Sequence, residues 1–393
     1  MVLQTADAVV IGAGINGAAT AYNLVKRGMK DVILLEKQLI ASGGTGRSAA
    51  IIRQHYSSDE LVRMVRRSVD VFTNFEDEIG GECGFVNTGW AFLVPVYVSD
   101  GFSENLARGQ RLGVDVREVS TADLNDIEPR VDLSDVHRCA YEPGSGYADP
   151  RGTTHAYVQR FIQLGGRLTQ LTPASGLILS DDGSTVEGVK TEAGDISAGI
   201  VVNAAGPWAD RVAAWAGVEL PLEVTREEEI IYDVELAGGP PRLCFSDMAK
   251  AIYYRPDGTS RMLVGRGYPK DYQVVEPDGY NQEVDSDFIE ETTTRLQARW
   301  PSFDSILAID SYTGLYDVTP DWHPVLGSVD GVEGFQICAG FSGHGFKIGP
   351  AIGELMAEEI MDGPASSIDI GRFNLRRFTE GKLIGAVYGT NRA

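Results

Sequence analysis

Residues 7–11 (DAVVI) are apolar with almost no alternation, which predicts a short strand buried on both faces, as in the centre of a parallel sheet. Gly12-Ala13-Gly14-Ile15-Asn16-Gly17 follows at once. Residues 18–27 then carry helical spacing up to a stop at Gly28, and a second apolar run, residues 31–35 (DVILL), ends at Glu36. Residues 59–80 place Leu61, Val62, Val65, Val69 and Phe72 on one side of a helix. Residues 86–98 read as strands of a different sheet, 106–113 and 122–127 as helices, 140–147 as turns, and 150–164 as a helix. Residues 168–199 read as β structure with a turn at Asp181-Asp182-Gly183, and residues 200–208 as a β-branched strand running into small residues and then a helix. Between 216 and 310 short runs alternate apolar and polar (229–234, 251–255, 262–265), which fits an antiparallel sheet with one face over a pocket. Residues 286–300 are helical. The chain returns at 334–338 to a strand, then a glycine-rich turn and a helix over 351–361. No repeat or low-complexity tract interrupts this order.

Composition narrows the classes. A length of 393 residues suggests two or three domains, and 43% apolar with 23% charged residues is ordinary globular usage. The net charge of −22, with no local basic patch, argues against nucleic acid and anionic membrane surfaces. Cys83, Cys139, Cys244 and Cys338 form no CxxC pair, and the five histidines complete no zinc spacing, so no metal site and no disulfide scaffold is expected. The start of the chain lacks the pattern of a signal peptide, and no apolar run reaches the ~18 residues of a membrane span. The expectation is a soluble, cytoplasmic protein. The acidic runs Asp181-Asp182 and Glu227-Glu228-Glu229 read as turns or solvated faces, and the tail with Arg372, Arg376 and Arg377 as a solvated helix or loop.

The first unit is strand, GxGxxG, helix, strand, acid. Gly12 suits the tight turn, Gly14 the approach of a pyrophosphate, and Gly17 close packing of helix on strand. The helix N-terminus offers free N–H groups to phosphates. Glu36 stands where a carboxylate accepts hydrogen bonds from ribose hydroxyls, which disfavours a 2′-phosphate. These features predict a dinucleotide site, for NAD or FAD. GxSxG, P-loop and HExxH motifs are absent.

The runs GAGINGAATAYNL, VILLEK and SGGTGRSAAIIRQHY, with GFSGHGFK at residues 340–347, resemble the FAD-dependent amine and amino-acid oxidoreductases of the D-amino-acid oxidase superfamily, in its sarcosine oxidase and dimethylglycine dehydrogenase branch. The resemblance implies an α/β fold with a discontinuous Rossmann-like FAD-binding domain (1–85, 140–215 and 325–393) and a substrate-binding domain with a mainly antiparallel sheet (86–139 and 216–324). It implies cofactor contacts at Gly12, Gly14, Ile15, Asn16, Gly17, Glu36 and Lys37 in the first unit. Gly43, Gly44, Thr45, Gly46, Arg47 and Ser48 follow in the loop, then Ala174, Ala205, Gly206, Trp208 and Gly314, and last Gly343, His344, Gly345, Phe346 and Lys347. Arg53 and Lys347 would grip a substrate carboxylate, His344 would stand beside the flavin, and Tyr316 would line the substrate pocket. Arg266 and Tyr254 are further candidates for that pocket, and the pair Tyr253 and Tyr254 reads equally as a pocket wall or as core packing.

Three departures from the branch matter. The position three residues before Arg53 is Ala50, where an additional arginine stands in monomeric sarcosine oxidases. Gly314 replaces the cysteine that carries flavin covalently there, and residues 45–48 hold no histidine, so non-covalent FAD is expected. Residues 261–268 contain no lysine to stand over the flavin and assist reaction with oxygen, which leaves oxidase and dehydrogenase both open. The implied reaction is oxidation of the C–N bond of a small secondary or N-methylated amino acid by hydride transfer to flavin N5, with hydrolysis of the imine. The alternatives are a primary or cyclic amino acid (glycine, a D-amino acid, proline), a hydroxy acid, or the flavin subunit of a multi-subunit amine dehydrogenase. The expected partners are the amino-acid substrate and oxygen or another electron acceptor, in a homo-oligomer or a larger complex.

Overall fold

The computed structural model describes residues 4–98 and 100–387. The ends of the expected first and last segments, residues 1–3 and 388–393, lie outside the described residues. Two large sheets organise the chain. The first has eight strands, in the order Val325–Val329, Val332–Ala339, Ile196–Asn203, Gln4–Ile11, Val32–Leu35, Arg167–Thr169, with Ala174–Leu179 and Val186–Thr191 attached beside Ile196–Asn203. Its centre is parallel: Gln4–Ile11 pairs in parallel with both Ile196–Asn203 and Val32–Leu35. That strand is fully buried from Ala8 to Ile11, as an unbroken apolar run requires when helices cover one face and a second layer the other. Ile15–Lys26, Asp59–Thr73 and Gly345–Met361 pack together on one side, where the largest apolar cluster lies.

The second sheet has nine strands and is antiparallel except where Cys244–Asp247 runs parallel to Trp90–Val94. Its long strand Glu223–Asp233 lies between Leu307–Val318 and Arg261–Arg266. Strand alternation sorts the side chains. Ile230 and Tyr232, with Tyr254, Met262 and Val264, pack on Phe288 and Leu296 of the Ser286–Arg299 helix and on Trp300. Glu227 and Glu229 face the other way, toward the first sheet's edge loops. The observed architecture is the expected α/β one, with a Rossmann-like parallel sheet and a mainly antiparallel second sheet.

Two sequence expectations are corrected. The last long helix begins at Gly345 rather than at 351, with Pro350 inside it. Gly340 and Gly343, at φ +75° and +84°, form the expected turn, whereas the glycines inside the helix serve close packing: a Cβ on Gly349 would stand 2.7 Å from Ile15 Cγ1, and one on Gly353 would stand 2.5 Å from the carbonyl carbon of Ala19. In the tail, Arg377 is not solvated. It is 2% exposed and grips Asp321 with both ends of its fork, at 2.8 and 2.9 Å, while donating to the carbonyls of His323 and Phe373. Removing one partner of such a pair strands a buried charge, at a cost of ~3–5 kcal/mol. Arg377→Ala is therefore expected to lower the thermal midpoint by several degrees. Arg376→Ala, whose ion pair with Asp330 is exposed, leaves it unchanged; calorimetry of the two variants checks both.

Candidate active site

The first cavity, ≈ 330 Å³, starts at the Gly12 turn and Glu36 and ends at Gly314, Tyr316 and Phe346. A second cavity of ≈ 230 Å³ adjoins it. Ser48, Ala49, Tyr316, Gly343 and Phe346 line both, so the two meet between the sheets.

The glycine motif builds the entrance. Gly12 has φ +107°, and a Cβ there would stand 2.4 Å from the Ala204 carbonyl oxygen, so only glycine fits. A Cβ on Gly17 would stand 1.9 Å from the Gly12 oxygen, which explains the close contact of helix and strand. The Ile15 N–H donates to Thr45 Oγ1 at 3.1 Å and ties the loop to the helix N-terminus. Glu36 accepts from the Ala13 N–H at 2.8 Å and from the Gln38 N–H at 2.7 Å, so its carboxylate is fixed in the cavity wall.

Gly14, Asn16, Lys37, Gly43, Gly44, Arg47, Ala174, Ala205, Gly206, Trp208 and Gly345 line this cavity too. The Lys37 ammonium lies 3.2 Å from the Trp208 ring centre, and Arg47 donates to the Thr313 carbonyl at 2.8 Å. Gly17 and Gly46 are not in its wall. A Cβ on Gly46 would meet the Ala41 oxygen at 2.1 Å, so this glycine lets the loop fold on itself. The donor set fits a dinucleotide: exposed backbone at a helix N-terminus, a fixed carboxylate, and an Asn16 Oδ1 that is buried with no partner among the described residues.

The second cavity collects Arg53, His344 and Lys347. Arg53 follows the short strand Ile51–Ile52; it donates to the His55 carbonyl and lies 4.5 Å over the Tyr56 ring. His344 sits at the N-cap of the last helix, with Nδ1 3.2 Å from the Tyr56 hydroxyl. Burial, then the nearby Lys347 and Arg53 charges, hold His344 well below the usual imidazole range. Burial, then Arg53, likewise holds Lys347 well below the usual lysine range. Aromatic walls come from Trp90, Phe92, Tyr268, Tyr272 and Trp322. Tyr316 stands at the junction, its ring seated on Gly343, where a Cβ would stand 2.5 Å away.

Other expected pocket residues are placed elsewhere. Tyr254 points to the opposite face of the sheet, against Phe245 and Trp300. Its neighbour Tyr253 lines the cavity instead, because successive strand residues alternate. Arg266 stands at the cavity edge, but its guanidinium lies over Phe288 and pairs with Glu291 on the helix behind the sheet.

The acidic run is also corrected: Glu227 and Glu229 are buried in the first cavity's wall. Lys270, just beyond the stretch without lysine, reaches into the second cavity, pairs with Glu227, and lies 5.5 Å from the Tyr316 ring centre. Alternation along Glu223–Asp233 was the available signal for the two acids; the loop placement of Lys270 left none. Asp317, also in the first cavity's wall, accepts from the Gly340 N–H at 2.7 Å, and burial pushes it up to about 6.

Known proteins share the sequence pattern and the fold. The family described as FAD dependent oxidoreductase, DAO, matches residues 7–359. Sarcosine dehydrogenase, mitochondrial, from Homo sapiens is 28% identical over 95% of this chain, which spans only 42% of that protein's length. Sarcosine oxidase subunit beta from Arthrobacter sp is 26% identical, over 96% of this chain and 92% of that protein. The crystal structure of L-proline dehydrogenase from P.horikoshii superposes with a TM-score of 0.89 at 29% identity, over 98% of this chain and 100% of that one. Among the described residues no helix is long and apolar enough to cross a membrane, and no cluster of metal-ligating side chains occurs. Motif and family match agree, and the chain belongs to the DAO family of FAD dependent oxidoreductases, with FAD as its cofactor.

Proposed function

We propose that this chain oxidises the C–N bond of a small secondary or N-methylated amino acid. The observation that carries the reading is the pair Arg53 and Lys347, which both line the second cavity. Lys347 has no ion-pair partner among the described residues, whereas Lys270 in the same cavity is held by Glu227. A carboxylate between Arg53 and Lys347 supplies the missing counter-ion, and the planar fork of Arg53 fixes its orientation. Tyr316 at the junction then directs the amine end toward the first cavity. The enclosing aromatic walls keep water from the reacting C–H until the imine forms. FAD, held along Gly12–Gly17, Glu36 and residues 43–48, would supply the two-electron oxidant. Non-covalent attachment is the reading supported by Gly314. Cys338, the cysteine in the first cavity's wall, has its thiol pushed up to about 12 by burial and is no nucleophile.

A cyclic secondary amino acid such as proline is the second reading, favoured by the whole-length likeness to the P.horikoshii enzyme. The likeness to a sarcosine oxidase beta subunit over nearly its full length supports work within a larger assembly, with electrons leaving to an acceptor there.

The test is the visible spectrum of the purified protein without oxygen, during addition of sarcosine, proline and glycine, with air admitted afterwards. Bleaching by sarcosine or proline is expected. Fast return of colour in air marks an oxidase, slow return a dehydrogenase, and no bleaching by any amine overturns the reading. Lys347→Met is expected to keep the flavin spectrum while lowering kcat/KM about 10- to 100-fold, chiefly through KM, the cost of one hydrogen bond to a charged group. The protonated form of Lys347 binds the carboxylate, and its pKa in the empty site is depressed. Affinity for acetate, a non-reacting carboxylate, is therefore expected to fall as pH rises, beginning below the ordinary lysine range. A competition series against pH measures this.

A further inference from the structure

Oxidation at the carbon next to nitrogen needs a neutral amine, because its free electron pair must form the new C=N bond as hydride leaves. An amino acid arrives as an ammonium, so its proton must go somewhere. The second cavity offers little to take it. Among the described residues its one lining carboxylate is Asp247, already clamped by Arg299 at 2.6 Å. In the reading above Lys347 is already protonated when it holds the carboxylate, and His344 stands beside it and Arg53, so a further proton there adds charge to a cationic cluster.

A different group is connected to the cavity. Strand register sets Glu229 opposite Gly265, and Gly265 in turn opposite Tyr253. The middle residue has no side chain. A Cβ on Gly265 would stand 2.4 Å from the Tyr253 hydroxyl, so the glycine opens the space through which the Tyr253 ring crosses the strand between. The Tyr253 hydroxyl donates to Glu229 Oε1. Tyr253 lines the substrate cavity and Glu229 the cofactor cavity, so the hydrogen bond joins the two. Glu229 Oε2 is buried with no partner among the described residues. Glu227, by contrast, is engaged by Lys270 and by the Thr225 hydroxyl at 2.9 Å.

We propose that Tyr253 and Glu229 form a proton relay: Tyr253 takes the proton from the substrate nitrogen while its own proton passes to Glu229. This rests on the amine-oxidation reading above. One N–H bond breaks at the substrate and one O–H bond forms on Tyr253; the former Tyr253 O–H breaks and an O–H forms on Glu229. No electrons are exchanged, and the amine is left neutral. The groups facing Glu229 are Tyr253 and Arg255 from the second strand over on one side and Tyr312 and Tyr316 from the adjacent strand on the other. Lys270 faces it from the loop after residue 266, and Glu227 from its own strand. Burial outweighs the cations among them and pushes Glu229 up to about 8, within reach of an accepting role near neutral pH.

The experiment uses the FAD-loaded protein and its Glu229→Gln and Tyr253→Phe variants. Without substrate, infrared difference spectra across a pH series should show a neutral carboxyl carbonyl band vanishing near pH 8. The band should be absent in Glu229→Gln and displaced in Tyr253→Phe. In anaerobic mixing with sarcosine or proline, the wild-type bleaching rate should rise with pH and level near 8. Glu229→Gln should lose that step and fall roughly 100-fold, while acetate affinity changes little. A wild type without the titrating band overturns the relay, as does a Glu229→Gln variant that keeps both rate and step. A wild type bleached by no amino acid overturns the amine reading and the relay with it. The two failures are distinct, because in failure of the relay alone the wild type bleaches and the variant matches it.

Discussion

The site depends on two helices touching through their smallest residues. Ile15–Lys26 and Gly345–Met361 meet at Gly345, Gly349 and Gly353, where a Cβ would stand 2.9 Å from Asn16 Nδ2, 2.7 Å from Ile15 Cγ1 and 2.5 Å from the Ala19 carbonyl carbon. Interhelical distance follows the side chains at the contact, so any larger residue moves the helices apart. The approach brings two N-termini side by side from opposite ends of the chain. One carries the Gly12–Gly17 turn; the other carries Lys347 in its first turn. The glycine turn at the first cavity and Lys347 at the second are thus placed by the same contact. The ion pair Arg27–Glu358 at the far end, 2.9 Å long and partly exposed, adds orientation more than stability.

The same contact shows why part of the sequence was misread. Glycine and proline between 340 and 350 look like breakers, and the eye stops the turn after Pro350. The first-unit glycines are legible because turn, phosphate approach and packing each demand glycine at fixed spacing beside a buried strand. The later ones answer to a partner helix distant in sequence, and nothing local announces that partner. Arg377 is missed for the same reason: its counter-ion, Asp321, is far along the chain.

The second sheet was legible as a sheet but not in its parity. Glu227-Glu228-Glu229 looks like a solvated run, and a strand half exposed to water would make it one. This strand is covered on both faces. Glu228 pairs with Arg226 at 3.2 Å on the helix side, and Glu227 and Glu229 turn to the cavity. Tyr253 and Tyr254 are divided between cavity and core by the same rule, since a shift of one residue moves a side chain to the other face. Sequence alternation gives two faces; it does not say which one looks at the cofactor.

Charge at the site is set by burial rather than by the chain total. A net charge of −22 would repel an anionic substrate at long range, but screening confines that effect to roughly 10 Å at ordinary ionic strength. Inside the second cavity the balance reverses. The protein neutralises Lys270 with Glu227 and leaves Lys347 facing Arg53 without an acid. Burial first, and then the like charge of Arg53, holds Lys347 well below the usual lysine range. On the proposed reading, a carboxylate between Arg53 and Lys347 would offset that repulsion and favour the protonated lysine. Affinity for a carboxylate-bearing ligand, on the same reading, needs no surplus of positive charge on the surface: one lysine without an acid partner among the described residues would supply it.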